Sequence, residues 1–559
     1  MAASDQRSTD PITMEIIRYG VASITDQIDA NITRTAFSPY IYEYKDFAVG
    51  LAGPTGDLVA QCRGGMPIFV ADSFGMAVRD GLAIYGVERL FHGDVLICNH
   101  ACVQGQHLNN TVMYAPIFVG PHKDTLVGFF AINMHWVDIG GSVPRSSDIF
   151  MEGLQFRSIK IRSKGEPIEE VYRIIECNSR EPQALMGDIA AQLAGCLLGA
   201  ELTANLAERY GAQTYFHAIE TMLDQSERAS RKWIESLPDG VYSAEAFLDN
   251  DGEGDQPIHL PVSVIVAGDE MTIDYSGISD QVAGCINSGY YGGGRTTARV
   301  AFKYLLGDGE PANEGTFRPL KIILPPGKIL SADATAPMGN YSQPFPTAID
   351  VIIRALAKAS PGSAVAGHYG SFSGFRFMGR GADGARFDNH ANGYGGWGAR
   401  DGQDGTGPFR TMAHGDTRII PMELQEALYP MRLERFSLRE DSGGVGAFRG
   451  GLGVTYAYRV HADCKLIVKF DRIDCPPWGI AGGGAGKPGH VRVEKPDGTI
   501  HILRKTKGFP LEANDLVHIE TGGGGGYGEP RARDKAILRR DVLEGYVSAA
   551  SAEQNYGGL

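Results

Sequence analysis

Apolar residues near the start of the chain recur at helical spacing. Between residues 12 and 36, isoleucine and valine side chains return every three or four positions, and Pro11 stands directly before them. Proline is tolerated in the first turn of a helix, because its missing N–H would have no partner there in any case. The spacing therefore predicts an amphipathic helix over this stretch.

Short apolar runs predict strands in the region that follows. Residues 46–60 contain two such runs around a Pro-Thr-Gly turn, and further runs occupy 94–98, 112–118 and 125–134. Short apolar runs bounded by turn residues are typical of strands. A long stretch at 185–235, dominated by alanine, leucine and glutamate, predicts a helix instead.

The second half of the chain has a different balance of elements. Strand-like alternation covers 240–285, helical patterns cover 296–306 and 350–359, and strands with glycine loops run from 440 onward. This order does not repeat a βαβ unit, so we expect an α+β fold: a large multi-domain mixed α/β chain with a strand- and glycine-rich C-terminal part. The expected regions are an N-terminal α/β region with the candidate site (1–235), a central α+β region (236–420) and a mainly β, glycine-rich region (421–559).

The chain contains 74 glycines, many of them in clusters. Aromatic residues and arginine are interleaved with these glycines, which favours ordered loops over flexible linkers. Two roles stay open for such loops. Their backbone N–H groups could hold a phosphate or oxyanion beside Arg295, Arg400 or Arg449, or the glycines could allow close packing, which we favour. The clusters lie at 290–295, 393–398, 443–453, 482–486 and 522–528.

Composition and charge argue against several classes of protein. The 559 residues are 43% hydrophobic and 21% charged, with a net charge of −14 and no lysine- or arginine-rich run. We therefore expect no nucleic-acid partner and no membrane association. The first ten residues lack a secretory apolar segment, and no uninterrupted apolar run approaches the roughly 20 residues of a membrane span. The eight cysteines are scattered without a C-x-x-C pair, as in a reducing compartment, so we expect a cytoplasmic protein.

Familiar nucleotide-binding motifs are absent from the sequence. The segment 482–488 (GGGAGKP) has the wrong spacing for a P-loop, and Pro488 stands where serine or threonine would contact magnesium. Gly444-x-Gly446 precedes a strand rather than a helix, so it lacks the context of a dinucleotide site. Read alone, nothing in the chain is expected to hold ATP or a nicotinamide.

Polar residues with catalytic potential follow the predicted strands between residues 43 and 138. Two histidines and a carboxylate that converge from strand ends could bind a divalent metal or act as general acids and bases. The alternative is that each histidine only bonds backbone groups in a polar loop. The candidates are Asp46, His100, His107, Asn110, His135 and Asp138.

At these residues the chain resembles the hydantoinase B family, which includes partner subunits of ATP-dependent N-methylhydantoinases and 5-oxoprolinases and the related subunits of acetone and acetophenone carboxylases. The resemblance runs from about residue 11 to the end, and the order of its many segments makes it specific. The segments are YEYKDFAVGL, GDVLICN, HLNNTVMYAPIF, HWVDIGG, FMEGLQF, ECNSREPQALMGDIAAQLAG, PANEGTFRPLKIILPPG, DSGGVGAFRGGLGV, CPPWGIAGGGAG and ANDLVHIETGGGGGYGEPRARD.

The resemblance implies a division of labour between subunits. A hydantoinase A-type partner would bind ATP and phosphorylate a carbonyl oxygen of a small substrate or bicarbonate, and this chain would complete the reaction, in some systems with a further small subunit. It also implies a metal-ligand set at Asp46, His107, Asn110 and His135, for a divalent metal such as zinc, manganese or magnesium. The chain departs from that set, because Asn110 stands where the family has aspartate and His100 replaces an acid. Both changes remove anionic charge.

Two reactions and one non-catalytic role follow from the resemblance. Metal-assisted hydrolysis of a cyclic amide needs a well-charged metal shell, whereas carboxylation of a ketone needs a dry pocket with acid–base groups and anion stabilisers. The lost charge leads us to expect carboxylation, with amide hydrolysis as the alternative and a non-catalytic assembly subunit as the third possibility. In either reaction we expect His107, His135, Asp138 and His100 to carry the chemistry.

Overall fold

The N-terminal part of the chain is built on a seven-stranded sheet. The computed structural model describes residues 10–142, 146–307, 309–360, 362 and 364–559. The strands lie in the order β2-β1-β5-β4-β3-β6-β7, and every neighbouring pair is antiparallel. Their bounds are β1 Phe47–Ala52, β2 Leu58–Gln61, β3 Val95–Cys98, β4 Asn110–Val119, β5 Thr125–His135, β6 Ile159–Ser163 and β7 Glu166–Pro167.

Helices cover both faces of this sheet, which explains why the central strands are buried on both sides. The helices of this part are α1 Pro11–Thr35, α2 Pro39–Tyr42, α3 Pro67–Val70, α4 Ser73–Tyr85, α5 Ala101–Gln104, α6 Glu169–Asn178 and α7 Pro182–Tyr210. α1 and α7 pack against the central strands and each other, and α4 packs on the sheet through Phe74. A Cβ atom at Gly199 of α7 would lie 2.3 Å from the Phe130 ring, so glycine there sets the close approach of helix and sheet.

One described helix, α7, is long and apolar enough to cross a membrane by length and composition alone. Its most apolar window has a mean hydropathy of 1.3, and 44% of that window is buried inside the structure. We expected no such segment, because no uninterrupted apolar run in the sequence approaches the roughly 20 residues of a membrane span. In this structure the helix lies along β4 and β5. The first nine residues, over which we expected no secretory segment, lie outside the described residues.

A second sheet of four strands shares its hydrophobic core with the first. The strands lie in the order β11-β10-β9-β8, with β10 and β11 parallel and the other pairs antiparallel. The elements of this part are α8 Ala212–Glu235, β8 Gly240–Leu248, β9 Ile258–Ala267, β10 Glu270–Asp274, α9 Thr296–Leu306, α10 Glu314–Phe317, β11 Leu320–Ile323 and α11 Phe345–Leu356. α11, buried over nearly its whole length, packs across β8 and β9.

Two further sheets enclose a second hydrophobic core. One has the order β13-β12-β16-β19 and the other β14-β15-β20-β17-β18, both fully antiparallel. Their elements are β12 Gly374–Arg380, β13 Arg386–Asn392, α12 Met422–Leu428, β14 Met431–Leu438, β15 Val454–Val460, β16 Cys464–Lys469, β17 His490–Glu494, β18 Ile500–Leu503, β19 Thr506–Leu511 and β20 Leu516–Glu520. The chain closes with α13 Lys535–Leu543 and α14 Ala549–Tyr556.

The glycine clusters of the C-terminal half pack directly on one another. Backbone bonds join them across the chain, for example from Gly396 N–H to the Gly522 carbonyl at 3.0 Å and from Gly524 N–H to the Gly451 carbonyl at 2.9 Å. A Cβ atom at Gly396 would lie 1.9 Å from the Gly451 oxygen, so no larger residue fits. Of the arginines considered for an anion site, Arg449 lies 3.7 Å from Asp541, Arg295 pairs with Asp72 and Arg400 bonds Gln403.

The expected α+β class is confirmed, and most predicted elements appear within a few residues of their predicted bounds. Two predictions were wrong in detail. The helix predicted over 185–235 is two helices, because Gly211 has a φ of +85° and ends α7. The region beyond 440 also contains α13 and α14, whose apolar faces form a small core of their own with Leu538 and Tyr556.

Candidate functional site

Three adjacent strands bring three of the candidate residues side by side. Asn110, the first residue of β4, is the cross-strand partner of His135, the last residue of β5. On the other side of β5, the His135 N–H donates to the carbonyl of Asp46 at 3.1 Å, one residue before β1 begins. Residues directly opposite each other in antiparallel strands project from the same face. The sheet register therefore places Asp46, His135 and Asn110 in a row.

His107 joins this row through a tight turn before β4. The Asn110 N–H donates to the His107 carbonyl at 3.2 Å, and the His107 Nε2 atom lies 2.8 Å from Asn110 Oδ1. The same amide oxygen lies 3.1 Å from His135 Nδ1, which in turn is 4.0 Å from Asp46 Oδ2. The two imidazole rings are 5.0 Å apart between centroids. We call Asp46, His107, Asn110 and His135 the histidine cluster.

A loop far away in sequence completes one wall of the histidine cluster. The carbonyl oxygen of Gly339 lies 3.3 Å from His107 Nδ1, and the Tyr341 hydroxyl lies 2.9 Å from Asn110 Nδ2. Buried Glu152 holds this loop, since its Oε1 atom accepts from the N–H groups of Met338 at 2.7 Å and Gly339 at 2.8 Å. The sequence analysis missed this loop and Glu152, because no local motif marks a contact over such a separation.

Another wall of the site comes from the sheet that contains β12, β13 and β16. Register pairs Gly374 with both Lys469 and Asn392, and pairs Arg376 with His390, so these residues share one face of that sheet. This face is opposite to the one that packs into the second hydrophobic core. The Asn392 amide donates to the hydroxyl oxygen of Tyr44 at 2.7 Å, and Tyr44 lies two residues before Asp46. This hydrogen bond connects the sheet to the N-terminal one.

Burial keeps both histidines of the cluster neutral. It lowers the pKa of His107 to about 4, against the opposing effect of its bond to Asn110, and lowers the pKa of His135 well below its ordinary value. Burial also raises the pKa of Asp46 to about 7, although the Arg410 guanidinium opposes this rise. The cluster therefore presents two neutral imidazoles and a carboxyl group that can exchange a proton near neutral pH.

The neutral state of His107 decides how the neighbouring amides are oriented. A neutral imidazole has one donor and one acceptor nitrogen, but here an oxygen lies beside each nitrogen of His107, while Gln106 Nε2 is buried without a partner. Rotating the carboxamides of Asn110 and Gln106 by 180° keeps their shape and gives His107 one donor and one acceptor, while the Gln106 oxygen takes the buried position that has no partner. Gln106 and Tyr341 then donate to the Asn110 oxygen, and the Asn110 NH₂ donates to both histidines.

The residues of the cluster do not fit the divalent metal that the family resemblance implies. Within the part of the chain that the structure describes, no group of three or more His, Cys, Asp or Glu side chains is arranged to hold a metal ion. In either orientation of the Asn110 amide, that amide engages the ring nitrogens of His107 and His135 that face each other. A neutral carboxamide also lacks the charge of the carboxylate it replaces. We therefore derive no step through a metal.

Two of the six candidates lie outside the histidine cluster. The carboxylate of Asp138 forms an ion pair with Arg180, whose Nε lies 3.0 Å from Asp138 Oδ2. His100 caps the N-terminus of α5, where its Nδ1 accepts from the Cys102 N–H at 3.3 Å, and its pKa is lowered by burial and by Arg157. Both residues have structural partners in these positions, and their expected catalytic roles stay predictions.

A cavity of about 710 Å³ lies beside Arg410 and has mostly apolar walls, including Phe317, Trp397 and Phe409. Arg410 lines it as well, and its guanidinium also stacks 4.9 Å from the Tyr44 ring. A volume of this size suits a small organic molecule. None of the four cluster residues lines this cavity.

Comparison with known proteins finds relatives and solved structures that match nearly the whole chain. The chain is 28% identical over 578 residues to the caprolactamase subunit beta of Pseudomonas jessenii, covering 98% of this chain and 96% of the relative. A crystal structure of the ATP-dependent caprolactamase from P. jessenii matches 99% of this chain and 96% of that chain with a TM-score of 0.85 and 26% identity. A nucleotide-free structure of acetone carboxylase, described for ATP-dependent acetone carboxylation, matches 99% of this chain and 80% of that chain with a TM-score of 0.87. Its identity is 18%, so it shows a shared fold.

The fold and these likenesses define a class: large α+β components of ATP-dependent enzymes that work as several subunits. The hydantoinase B/oxoprolinase family model matches residues 10–530, and the chain belongs to that family. The sequence-based expectation of an enzyme subunit of this family is thereby confirmed.

Proposed function

We propose that this chain completes an ATP-dependent reaction in which a hydantoinase A-type partner phosphorylates the carbonyl oxygen of a small cyclic amide, and that this chain then opens the ring with water. The observation that carries the proposal is the convergence of Asp46, His107 and His135 at the end of three paired strands. The likeness to a caprolactamase subunit supports a cyclic amide as the substrate class. ATP would bind to the partner, as the resemblance to the hydantoinase B family implies.

Asp46 is the group best placed to act as the general base. Its carboxylate lies 4.0 Å from the Nδ1 atom of His135 and is not held by an Arg or Lys ion pair among the described residues. Asp46 would take a proton from water as the oxygen adds to the phosphorylated carbonyl carbon. The ring C–N bond then breaks as the nitrogen takes a proton. The product is an acyl phosphate, whose hydrolysis by a second water releases the carboxylate and phosphate.

In this reaction the neutral histidines would orient the substrate or water through hydrogen bonds and would not ionise. Both nitrogens of His107 are engaged, by Asn110 and by the Gly339 carbonyl, so this ring is held in one position. His135 bonds the cluster through Nδ1, which leaves its Nε2 for a hydrogen bond to substrate or water.

The eight free cysteines suit the cytoplasmic location that we infer.

Carboxylation of a ketone is the second candidate, and one observation favours it. Where the family has a second carboxylate, Asn110 provides a neutral amide that bonds two neutral histidines. A site of low negative charge suits an enolate that attacks carbon dioxide, since the developing charge needs donors rather than acids nearby. Bicarbonate would then be the second substrate, and a further small subunit would belong to the complex.

ATP hydrolysis by the co-expressed complex separates these functions. We expect ADP release to rise with a cyclic amide alone, such as caprolactam or 5-oxoproline; a rise only with a ketone plus bicarbonate would favour carboxylation instead. Asp46→Asn should lower product formation at least 100-fold, while Asp124→Asn, in an exposed turn, should leave it unchanged. If His107→Ala and Asp46→Asn both kept full turnover, the chain would be an assembly subunit and the proposal would fail.

A further inference from the structure

Lys469 stands on the wall of the site, and no carboxylate of the described residues pairs with its charge. It is the last residue of β16, and its neighbours Val468 and Phe470 are 1% exposed in the second hydrophobic core. Alternation along the strand therefore directs Lys469 to the opposite face, towards the histidine cluster. Its cross-strand partner Gly374 has no side chain, and a Cβ atom there would be in ordinary contact with the Lys469 Cβ at 3.5 Å.

Among the described residues, the ammonium group of Lys469 donates its one hydrogen bond to an amide. Lys469 Nζ donates to Asn340 Oδ1 at 2.5 Å, and no described carboxylate lies within 4.0 Å of it. The other two lysines that line the same small cavity, of about 60 Å³, are both paired: Lys505 with Asp471 at 2.7 Å and Lys507 with Glu253. The absence of a counter-ion is therefore particular to Lys469.

An unpaired ammonium group on a largely buried wall is costly, because burial removes water without supplying an opposite charge. An anionic ligand with oxygen atoms would remove that cost through a charge-assisted hydrogen bond. The position of Lys469 beside the histidine cluster indicates which anionic ligand it would bind. Asn340, which Lys469 contacts, directly follows Gly339, whose carbonyl touches His107, and the charge of Lys469 bears on both histidines of the cluster.

We propose that Lys469, held by Asn340, binds the phosphoryl oxygens of the activated substrate, so that the reacting carbonyl carbon faces the histidine cluster. The cavity beside it is also lined by Ser146, by Gln343 and by two acidic residues, Asp251 and Glu253, the second of which pairs with Lys507. The phosphoryl group that the partner adds would then anchor the substrate here until the carbonyl reaction is complete. This inference rests on the proposed function for its ligand, but the oxyanion site is open to a direct test.

Phosphate binding to the purified full-length chain tests the site without turnover. Inorganic phosphate is titrated by calorimetry into wild type, Lys469→Met, Lys469→Arg and Lys465→Met, the last an exposed position on the same strand. A charge-assisted hydrogen bond predicts phosphate binding weaker by on the order of 10–100-fold in Lys469→Met. We expect Lys469→Arg to retain binding and Lys465→Met to match wild type. Acetate and bicarbonate, titrated in parallel, separate phosphate from the other oxyanions of the reaction.

Thermal stability gives a second readout that does not depend on a well-bound ligand. Because none of the described carboxylates pairs with Lys469, Lys469→Met should melt no lower than wild type, and phosphate should raise the Tm of wild type but not of the variant. A lower Tm for Lys469→Met, or equal phosphate affinity in Lys469→Met and wild type, would overturn the proposal. An equal loss in Lys465→Met would do so as well, by showing diffuse charge attraction. Turnover of a cyclic amide by a complex whose chain binds phosphate independently of Lys469 would reject this site and keep the proposed function.

Discussion

Glu152 is expected to hold the Gly339 loop against His107, and replacing it should loosen both the fold and the reaction. Its Oε1 atom accepts from Ser146 Oγ at 2.7 Å and from the N–H groups of Met338 and Gly339 at 2.7 and 2.8 Å. Glu152→Ala leaves those two N–H groups buried without a partner. Each such group costs about 1–3 kcal/mol, so we expect a loss of about 4 kcal/mol in unfolding free energy.

The matched control is Glu152→Gln, which keeps an acceptor oxygen for the loop. The second carboxylate oxygen of Glu152 is buried without a partner, so an NH₂ group in that place exchanges one unsatisfied atom for another. We expect Glu152→Gln to cost less than about 1.5 kcal/mol, the upper value for an ordinary hydrogen bond. The two variants should therefore differ clearly although both remove the same charge.

Thermal unfolding and turnover measure the two consequences. An unfolding entropy of about 2.1 cal/mol/K per residue gives about 1.2 kcal/mol/K for a chain of this length, so about 4 kcal/mol lowers the Tm by about 3 °C. We expect Glu152→Ala to lower kcat by at least tenfold as His107 loses its carbonyl partner, with the KM little changed. If Glu152→Ala and Glu152→Gln melted together and turned over equally, the loop would not depend on these bonds.

Three further outcomes are expected. Asn110→Asp should increase the zinc or manganese retained after dialysis, measured by elemental analysis, because a carboxylate between two histidines is a stronger ligand; unchanged metal content would contradict this. A hydrogen bond from His490 lowers the pKa of Glu520 to about 2, so its stabilisation is present above the unfolded value of about 4.3 and is lost as the pH falls through about 2. The Tm difference between wild type and Glu520→Gln should shrink between pH 5 and pH 2, and a constant difference would refute the linkage. Gly396→Ala should melt several degrees lower or fail to fold, because its Cβ would lie 1.9 Å from a backbone oxygen, while Gly254→Ala, with open space around it, should match wild type.

The helices and strands could be predicted from the sequence because the formation of each one depends on residues that are neighbours along the chain. Isoleucine spacing predicted α1, and apolar runs between turn residues predicted β1, β4 and β5 within a few positions. Strand ends are also where polar side chains can leave the core, so the candidates of the histidine cluster could be named in advance. The break at Gly211 could not, since a single glycine in a helical pattern is compatible with either continuation or a turn.

The one-dimensional chain determined which side chains stand at the strand ends of this protein, and the tertiary structure decided which of them share a site. Strand register sets Asp46, Asn110 and His135 in one row, while Asp138 and His100 find structural partners elsewhere. Glu152, the Gly339 loop and Lys469 enter only through packing between elements more than 100 residues apart. Such contacts depend on how whole sheets meet, and no local pattern of residues encodes that, because the free energy that selects it comes from the burial of surfaces contributed by distant segments.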